Sequence, residues 1–155
     1  MGVRLGDEIR QTKPFGSAEQ EAHLSIGRTA AALEHAVSEA LRPYGITPTQ
    51  YNVLRILRGA GENGLCRREV TERMVAQVPD ATRLLDRMEA AGLIQRSRDA
   101  TDRRFVTTRI SEEGLKLVGE LDEPMQALHR RHLGHLSERD LRTLIDLLGR
   151  IRQEL

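Results

Sequence analysis

Residues 79–110 read PDATRLLDRMEAAGLIQRSRDATDRRFVTTRI, and this stretch combines a helical pattern with a strand pattern. In its first half, apolar side chains recur at helical spacing, and Gly92 is the residue type expected at the helix stop. In its second half, residues 104–110 alternate with the two-residue period of a β-strand. A polar turn separates them from a first strand at residues 93–98. The stretch predicts a helix that opens at Pro79, followed by a β-hairpin.

Two helical patterns precede this stretch. Thr47 can cap the first helix, Pro48 suits its opening turn, and Gln50 completes a capping box. Three glycines mark the end of that helix, and a short helix begins near Arg67 with Val70 on its inner face. Three helices followed by two strands is the order of a winged helix-turn-helix module.

Longer helical patterns flank the module on both sides. Apolar residues at spacings of three and four begin after Ser17, and two later helices have candidate caps at Ser111 and Ser137. The last helix has a heptad-like apolar stripe: Leu141, Leu144, Ile145, Leu148, Ile151 and Leu155. These helices expose more apolar surface than a winged module of this size can cover, so we expect a partner chain.

The fold class predicted from this order is mainly α. It is a winged helix-turn-helix with a two-stranded β wing and long N- and C-terminal dimerisation helices. Residues 1–16 lack an apolar stripe and are predicted to form a flexible arm, and residues 17–155 a single domain. Within that domain, residues 44–111 form the winged module, and residues 17–43 and 112–155 form the dimerisation helices.

Composition narrows the class of protein further. The chain has 155 residues, one cysteine, no Trp and 3% aromatic residues, which is typical of a single helical domain without an internal disulfide. No window approaches the run of about 18 apolar residues that a membrane span needs. The N-terminus also lacks the apolar core of a signal peptide. We therefore expect a cytoplasmic protein with no membrane partner.

The net charge of +1 conceals an uneven distribution along the chain. Residues 44–111 contain 12 arginines and 8 acidic residues, whereas the rest of the chain contains 12 basic and 15 acidic residues. A basic excess in the winged module is what a surface facing phosphate groups requires. An ordinary solvated arginine-rich face would have the same composition, so the excess alone does not decide between them.

The helix of residues 79–92 suits the major groove of double-stranded DNA, which accepts one α-helix. On its first turns, Gln77, Thr82 and Arg83 are the side chains expected to reach base edges or nearby phosphates. Arg87, one turn later, is expected to contact the DNA backbone. Asp80 either offsets the positive end of the helix, which we favour, or accepts a hydrogen bond from a cytosine amino group.

Basic residues also occur at the start of the short positioning helix and in the hairpin: Arg67, Arg68, Arg98, Arg103 and Arg104. At the hairpin tip, Arg103 and Arg104 are candidates to enter the minor groove. Asp102 could hold one of these guanidinium groups in a fixed fork, which lowers the entropy lost on docking. The alternative is that DATDRR is simply a soluble turn.

Two linked motifs resemble the MarR family of bacterial transcriptional regulators. The run from Asp102 to Gly114, DRRFVTTRISEEG, resembles the family's wing signature of D-x-R, five residues, an aliphatic residue, Thr or Ser, two residues and Gly. The run from Thr82 to Arg96, TRLLDRMEAAGLIQR, resembles its recognition helix and first wing strand. The resemblance spans about residues 20–155, and Ser111 stands where Thr is more usual.

This resemblance implies a homodimer in which the end helices interlace and two winged modules reach successive major grooves of a palindromic operator. It also implies that Arg104 is the minor-groove arginine and Asp102 its orienting partner. Members of the family are commonly repressors released by a small ligand, often an aromatic acid or phenol, bound between the dimer helices and the winged module. The residues do not identify that effector ligand, and no cofactor is implied.

Three alternatives remain at this stage. His129, His132 and His135 could indicate metal sensing, but helical rotation carries the outer pair about 120° apart, so all three cannot converge on one ion. Cys66, which precedes two arginines, could be redox-active, although it does not match the cysteine near the first helix in the family's peroxide sensors. A helical scaffold protein without DNA affinity would share the apolar stripes. No catalytic motif is present, so we do not expect an enzyme.

Overall fold

A computed structural model describes residues 2–155 of the chain, and Met1 lies outside the described residues. The helices in this range are α1 (Leu5–Glu8), α2 (Ala18–Leu41), α3 (Pro48–Ala60), α4 (Arg67–Glu72), α5 (Ala81–Ala90), α6 (Glu112–Leu133) and α7 (Glu138–Gln153). The strands are β1 (Leu65–Cys66), β2 (Ile94–Arg98) and β3 (Val106–Ile110). The predicted fold class, a winged helix-turn-helix between long helices, is confirmed.

The caps of the longer helices agree with the sequence patterns. The Thr47 side chain accepts a hydrogen bond from the Gln50 backbone N–H at 3.2 Å, and the Gln50 side chain accepts one from the Thr47 N–H at 3.0 Å. Ser111 caps α6, and its hydroxyl also donates to the Gly92 carbonyl at 2.6 Å. Each cap satisfies backbone groups that a helix end leaves unpaired.

Helix α5, which was predicted to start at Pro79, starts two residues later. Its first helical residue is Ala81 and not Pro79, because Asp80 is the capping residue and its carboxylate accepts from the Arg83 N–H at 2.9 Å. Gly92, with a φ of 75°, follows the helix in the left-handed conformation, as expected for a glycine stop.

The two predicted wing strands, β2 and β3, form an antiparallel hairpin, and a third short strand, β1, extends the sheet. β3 lies in the centre, paired antiparallel with β2 on one side and with β1 on the other. β1 contains only Leu65 and Cys66, which pair with Thr108 and Thr107. Two residues are too few for a period-two pattern to be visible in a sequence.

The hydrophobic core joins the winged module to the long helices. Leu41 of α2, Leu54 and Leu57 of α3, and Val118 and Leu121 of α6 are all fully buried in it. At the surface, the Arg58 guanidinium donates two hydrogen bonds to the Asp122 carboxylate, at 2.8 and 2.9 Å, across the α3 and α6 contact. The module is therefore fixed to α6 by packing and by an ion pair.

The C-terminal helix differs from every other long helix, because no residue of α7 is buried in the single chain. Of its predicted stripe, Leu144 is 40% exposed and Ile145 is 66% exposed. The N-terminal segment, in contrast, packs against α2 through α1. Leu5 of α1 is buried, and the Glu8 carboxylate pairs with the Arg28 guanidinium of α2 at 3.0 Å.

Gly114 makes a close approach that a larger residue cannot make. A Cβ at this position would lie 2.3 Å from the Leu93 carbonyl oxygen and 2.8 Å from Ile110 Cγ1, which are backbone and core atoms. We expect Gly114→Ala to lower the free energy of unfolding by about 2 kcal/mol, as overpacking does elsewhere. Urea unfolding at a fixed protein concentration measures this change.

Gly119, five residues later in the same helix, is the matched control. No described atom lies within 4 Å of a Cβ built there, so Gly119→Ala should raise stability by about 0.5–1 kcal/mol. Equal effects of the two substitutions would show that the close approach at Gly114 does not constrain α6.

No helix within residues 2–155 has both the length and the apolar character needed to cross a membrane. Over the same range, no cluster of three or more His, Cys, Asp or Glu side chains is placed to hold a metal ion.

Candidate nucleic-acid interface

The helix-turn-helix consists of α4, a turn and α5, and a direct hydrogen bond joins its two helices. The Arg67 guanidinium at the start of α4 donates to Thr82 Oγ1 on the first turn of α5, at 2.6 Å. In the turn, the Val75 backbone N–H donates to the Asn52 side chain of α3 at 2.9 Å. Both bonds fix the approach of α5, and each joins residues far apart in the sequence.

Helix α5 has an apolar inner face and a polar outer face. Leu85 and Met88 are buried, whereas Thr82, Arg83 and Arg87 are exposed. Among the described residues, Arg83 and Arg87 take part in no ion pair. Their guanidinium groups are therefore available to an external partner with hydrogen-bond acceptors. The separation of faces follows from the helical period of the sequence.

Asp80 and Gln77 lie just before this helix, and both are exposed. The Asp80 carboxylate is engaged by the Arg83 backbone N–H. This hydrogen bond agrees with the helix-terminus role that we favoured for Asp80. Gln77 lies in the turn between α4 and α5, close to the start of α5.

The wing tip contains the predicted fork between Asp102 and Arg104. The Arg104 guanidinium donates from Nε to Asp102 Oδ1 at 3.1 Å and from a terminal nitrogen to Oδ2 at 2.9 Å, and the Arg104 backbone N–H also donates to Oδ1 at 3.0 Å. These bonds lower the pKa of Asp102, so its carboxylate stays ionised at neutral pH. The Arg104 side chain is 88% exposed, which leaves its outer edge open to solvent.

The remaining predicted arginines differ in how they are engaged. Arg98 donates to the Arg103 carbonyl oxygen at 3.4 Å, so it braces the wing turn. Arg103 itself is exposed and, within residues 2–155, has no ion pair. Arg68 pairs with Glu72 one helical turn away at 2.7 Å, and this pairing offsets part of its charge.

Arg96 anchors the wing to α5, and this contact was not predicted from the sequence. Its guanidinium donates to the Asp86 carboxylate at 2.6 Å and from Nε to the Glu89 carboxylate at 2.9 Å. The side chain is only 22% exposed, and its hydrogen bonds lower the pKa of Glu89. Two acidic residues at i and i+3 on α5, facing an arginine on the next strand, were the available signal.

A concave surface between the helix-turn-helix and the wing brings these elements together, and we call it the wing cleft. It is lined on its polar side by Arg67, Arg68, Thr82, Arg96 and Arg104, with Phe105 at the same surface. Leu85 and Val106 add apolar side chains to its lining. Residues from α4, α5, β2 and the wing tip therefore share one arginine-rich face.

Cys66, considered for redox sensing, also lines the wing cleft, whereas the three histidines considered for metal sensing lie on α6 or just after it. Cys66, in β1, is partly buried, and its backbone N–H donates to the Glu69 carboxylate at 2.8 Å. His129 and His135 are exposed, whereas His132 is half-buried on α6. These positions fit ordinary structural roles for all four side chains.

Helix α5 has an exposed polar face and lies next to an arginine-tipped hairpin, and we call it the reading helix. This arrangement defines the winged helix-turn-helix class of DNA-binding proteins. A sequence model of the MarR family matches residues 44–104. A crystal structure of a MarR transcription factor from Planctomyces limnophilus is 36% identical to this chain, with a TM-score of 0.68. The match covers 88% of this chain and 98% of that one. The chain belongs to the MarR family.

Two further relatives illustrate the range of similarity. The HTH-type transcriptional repressor MdtR of Bacillus subtilis (strain 168) is 27% identical over 140 residues, 88% of this chain and 89% of MdtR. CouR from Rhodococcus jostii RHA1, crystallised bound to p-coumaroyl-CoA, is 26% identical with a TM-score of 0.74, over 88% of this chain and 95% of CouR. Members of the family are DNA-binding transcription regulators and not enzymes.

Proposed function

We propose that this MarR-family protein is a repressor that binds a palindromic operator as a homodimer and leaves it when a small ligand binds. The observation that carries the proposal is the wing cleft, where Arg67, Thr82 and Arg104 bring the positioning helix, the reading helix and the wing onto one face. A face of this kind can contact a major groove and the adjacent minor groove at the same time.

We assign a different role to each part of this face. Gln77, Thr82 and Arg83 reach base edges or nearby phosphates in the major groove, and Arg87 contacts the backbone. Arg104, held by Asp102, enters the minor groove, where an arginine reads width and negative potential. The remaining basic candidates bind phosphates: Arg67, Arg68, Arg98 and Arg103. Asp80 acts by capping the reading helix and not by reading a base.

The homodimer rests on the long helices. The exposed apolar side chains of α7, with Ile145 the most exposed of those in its stripe within the helix, need cover that the single chain does not supply. A twofold dimer uses the same patch on both copies, and it presents two reading helices to two half-sites of a palindrome.

The proposed release from DNA requires a site for a small ligand. CouR binds p-coumaroyl-CoA, which shows that a related protein accepts an aromatic acyl ligand. We place the ligand in the wing cleft and not at the site between the dimer helices and the winged module that the resemblance implies. The wing cleft combines guanidinium groups with the apolar side chains of Leu85 and Val106, a chemistry that suits an aromatic carboxylate. A ligand there would engage Arg67 and Arg104, so it would favour the DNA-free state.

An operator selected from a random-sequence duplex pool by the purified protein tests both binding and release. Fluorescence anisotropy should show affinity falling about a thousandfold between 50 and 200 mM salt, because phosphate contacts release counterions. In the same assay at fixed ionic strength, benzoate should displace the protein from the operator in a saturable way.

Cyclohexanecarboxylate is the matched control for benzoate, because it has the same charge and lacks the aromatic ring. Displacement by benzoate alone supports an aromatic effector site, whereas identical curves for both acids would exclude one of this chemistry. A flat response of affinity to salt would contradict the phosphate contacts and would favour a helical scaffold protein over a repressor.

A further inference from the structure

The wing cleft has a geometric relation to DNA that follows from the proposed function. When a helix lies in the major groove and a wing lies in the adjacent minor groove, one sugar-phosphate strand separates the two grooves. That strand must cross the surface between α5 and the wing. This surface is the wing cleft, which Arg67 of α4 and Arg104 of the wing tip both line.

Phe105 is the large apolar side chain of this cleft that is not buried. It is 64% exposed, although it stands beside arginines on a strongly polar surface. Its backbone is held at both polar groups, because its N–H donates to the Asp102 carbonyl at 3.0 Å and its carbonyl accepts from the Asp99 N–H at 2.9 Å. The turn that positions Arg104 therefore also positions Phe105.

The chemistry of a DNA strand matches this combination of side chains. Phosphates alternate with deoxyribose rings, and a sugar ring presents apolar C–H surface between two charged groups. Arginine satisfies a phosphate, whereas an exposed aromatic ring gains free energy only by covering apolar surface. We propose that Phe105 packs against a deoxyribose of the strand that crosses the wing cleft, between a phosphate bound by Arg67 and the minor groove that Arg104 enters. This inference rests on the proposed function.

The test compares Phe105→Ser, Phe105→Leu and Arg104→Ala on the selected operator duplex. Anisotropy should show about a tenfold loss of affinity for Phe105→Ser and a much smaller loss for Phe105→Leu, which keeps an apolar side chain. The dependence of affinity on salt should be unchanged for both Phe105 variants and weaker for Arg104→Ala, because only the arginine carries a positive charge that displaces counterions from DNA.

Hydroxyl-radical footprinting gives a readout specific to the sugar, because the radical attacks deoxyribose. Phe105→Ser should lose protection at one or two sugars beside the wing in each half-site, with the rest of the footprint retained. Val3→Ser is the control for removing an exposed apolar side chain, since Val3 is 74% exposed and lies outside the winged module. Its affinity and footprint should equal those of the wild type.

The possible failures are distinguishable. Unchanged affinity in Phe105→Ser together with weakened binding in Arg104→Ala would overturn the sugar contact and leave the proposed function standing. If Phe105→Ser lowered both the thermal midpoint and the salt dependence, its role would be to hold the wing turn, and the contact would also be rejected. If neither variant altered binding, the wing would not contact DNA, and the proposed function would fail with it.

Discussion

Replacement of Ile145 by glutamate is expected to convert the proposed homodimer to a monomer that no longer binds the proposed palindromic operator specifically. Ile145 is 66% exposed in the single chain, so the substitution leaves the fold of each chain intact. In the dimer, both copies lose a buried isoleucine, which contributes about 1.5–3 kcal/mol each, and both must bury a carboxylate. The dimer dissociation constant should therefore rise at least about a hundredfold.

Loss of the dimer removes the coupling between half-sites. A monomer has one reading helix and one wing, so the second half-site no longer binds with the advantage of an effective concentration. Sedimentation equilibrium measures the subunit equilibrium, and anisotropy on the selected operator measures the specific affinity. We expect specific binding to fall by about two orders of magnitude or more at protein concentrations that keep the variant monomeric.

Thr143→Glu is the charge-matched control on the same helix. Two residues before Ile145, Thr143 is about 200° away around α7 and lies off the apolar stripe. It is exposed, so the variant should remain dimeric and should bind the operator as the wild type does. A dimeric Ile145→Glu protein with full operator affinity would show that α7 does not form the subunit interface.

The features that could be predicted from sequence are those whose signal is local. Thr47, Ser111 and Ser137 each accept a hydrogen bond from a backbone N–H three residues later, so the cap and its partner stand together in the chain. The fork between Asp102 and Arg104 joins residues two apart. In each case, the residue types and their spacing were enough to define the geometry.

The features that could not be predicted depend on contacts between distant segments. β1 is defined by the pairing of Leu65 with Thr108, and the Arg67 hydrogen bond to Thr82 depends on the packing of α4 against α5. The burial of Leu5 could not be predicted because a single leucine has no period, and the apolar surface that buries it is formed by another helix. Sequence patterns contain no record of such pairings.

The 12 arginines of the winged module are not equivalent, because several of them form ion pairs within the chain. Arg58 pairs with Asp122, Arg68 with Glu72, and Arg96 with two carboxylates of α5. Arg83, Arg87 and Arg103 have no ion pair among the described residues, so their positive charge on α5 and at the wing tip is not offset within the chain.

We expect different results from substitutions at Arg83 and at Arg104. Arg83→Ala should weaken operator binding by about 1–3 kcal/mol and lower the ratio of specific to non-specific affinity, because the lost contact distinguishes bases. Arg104→Ala should weaken binding to operator and to random duplex by similar factors and reduce the dependence of affinity on salt. Anisotropy titrations on both duplexes at several salt concentrations measure all of these quantities.

Lysine variants separate charge from geometry at both positions. Arg83→Lys keeps the positive charge but loses the planar fork that pairs with two acceptors of a guanine, so it should bind random duplex normally and still lose specificity. Arg104→Lys loses the fork with Asp102, and it should retain the salt dependence while binding more weakly, because its ammonium group is no longer held in place. Equal effects of Arg83→Ala and Arg104→Ala on the specificity ratio would rule out this division between base reading and minor-groove binding.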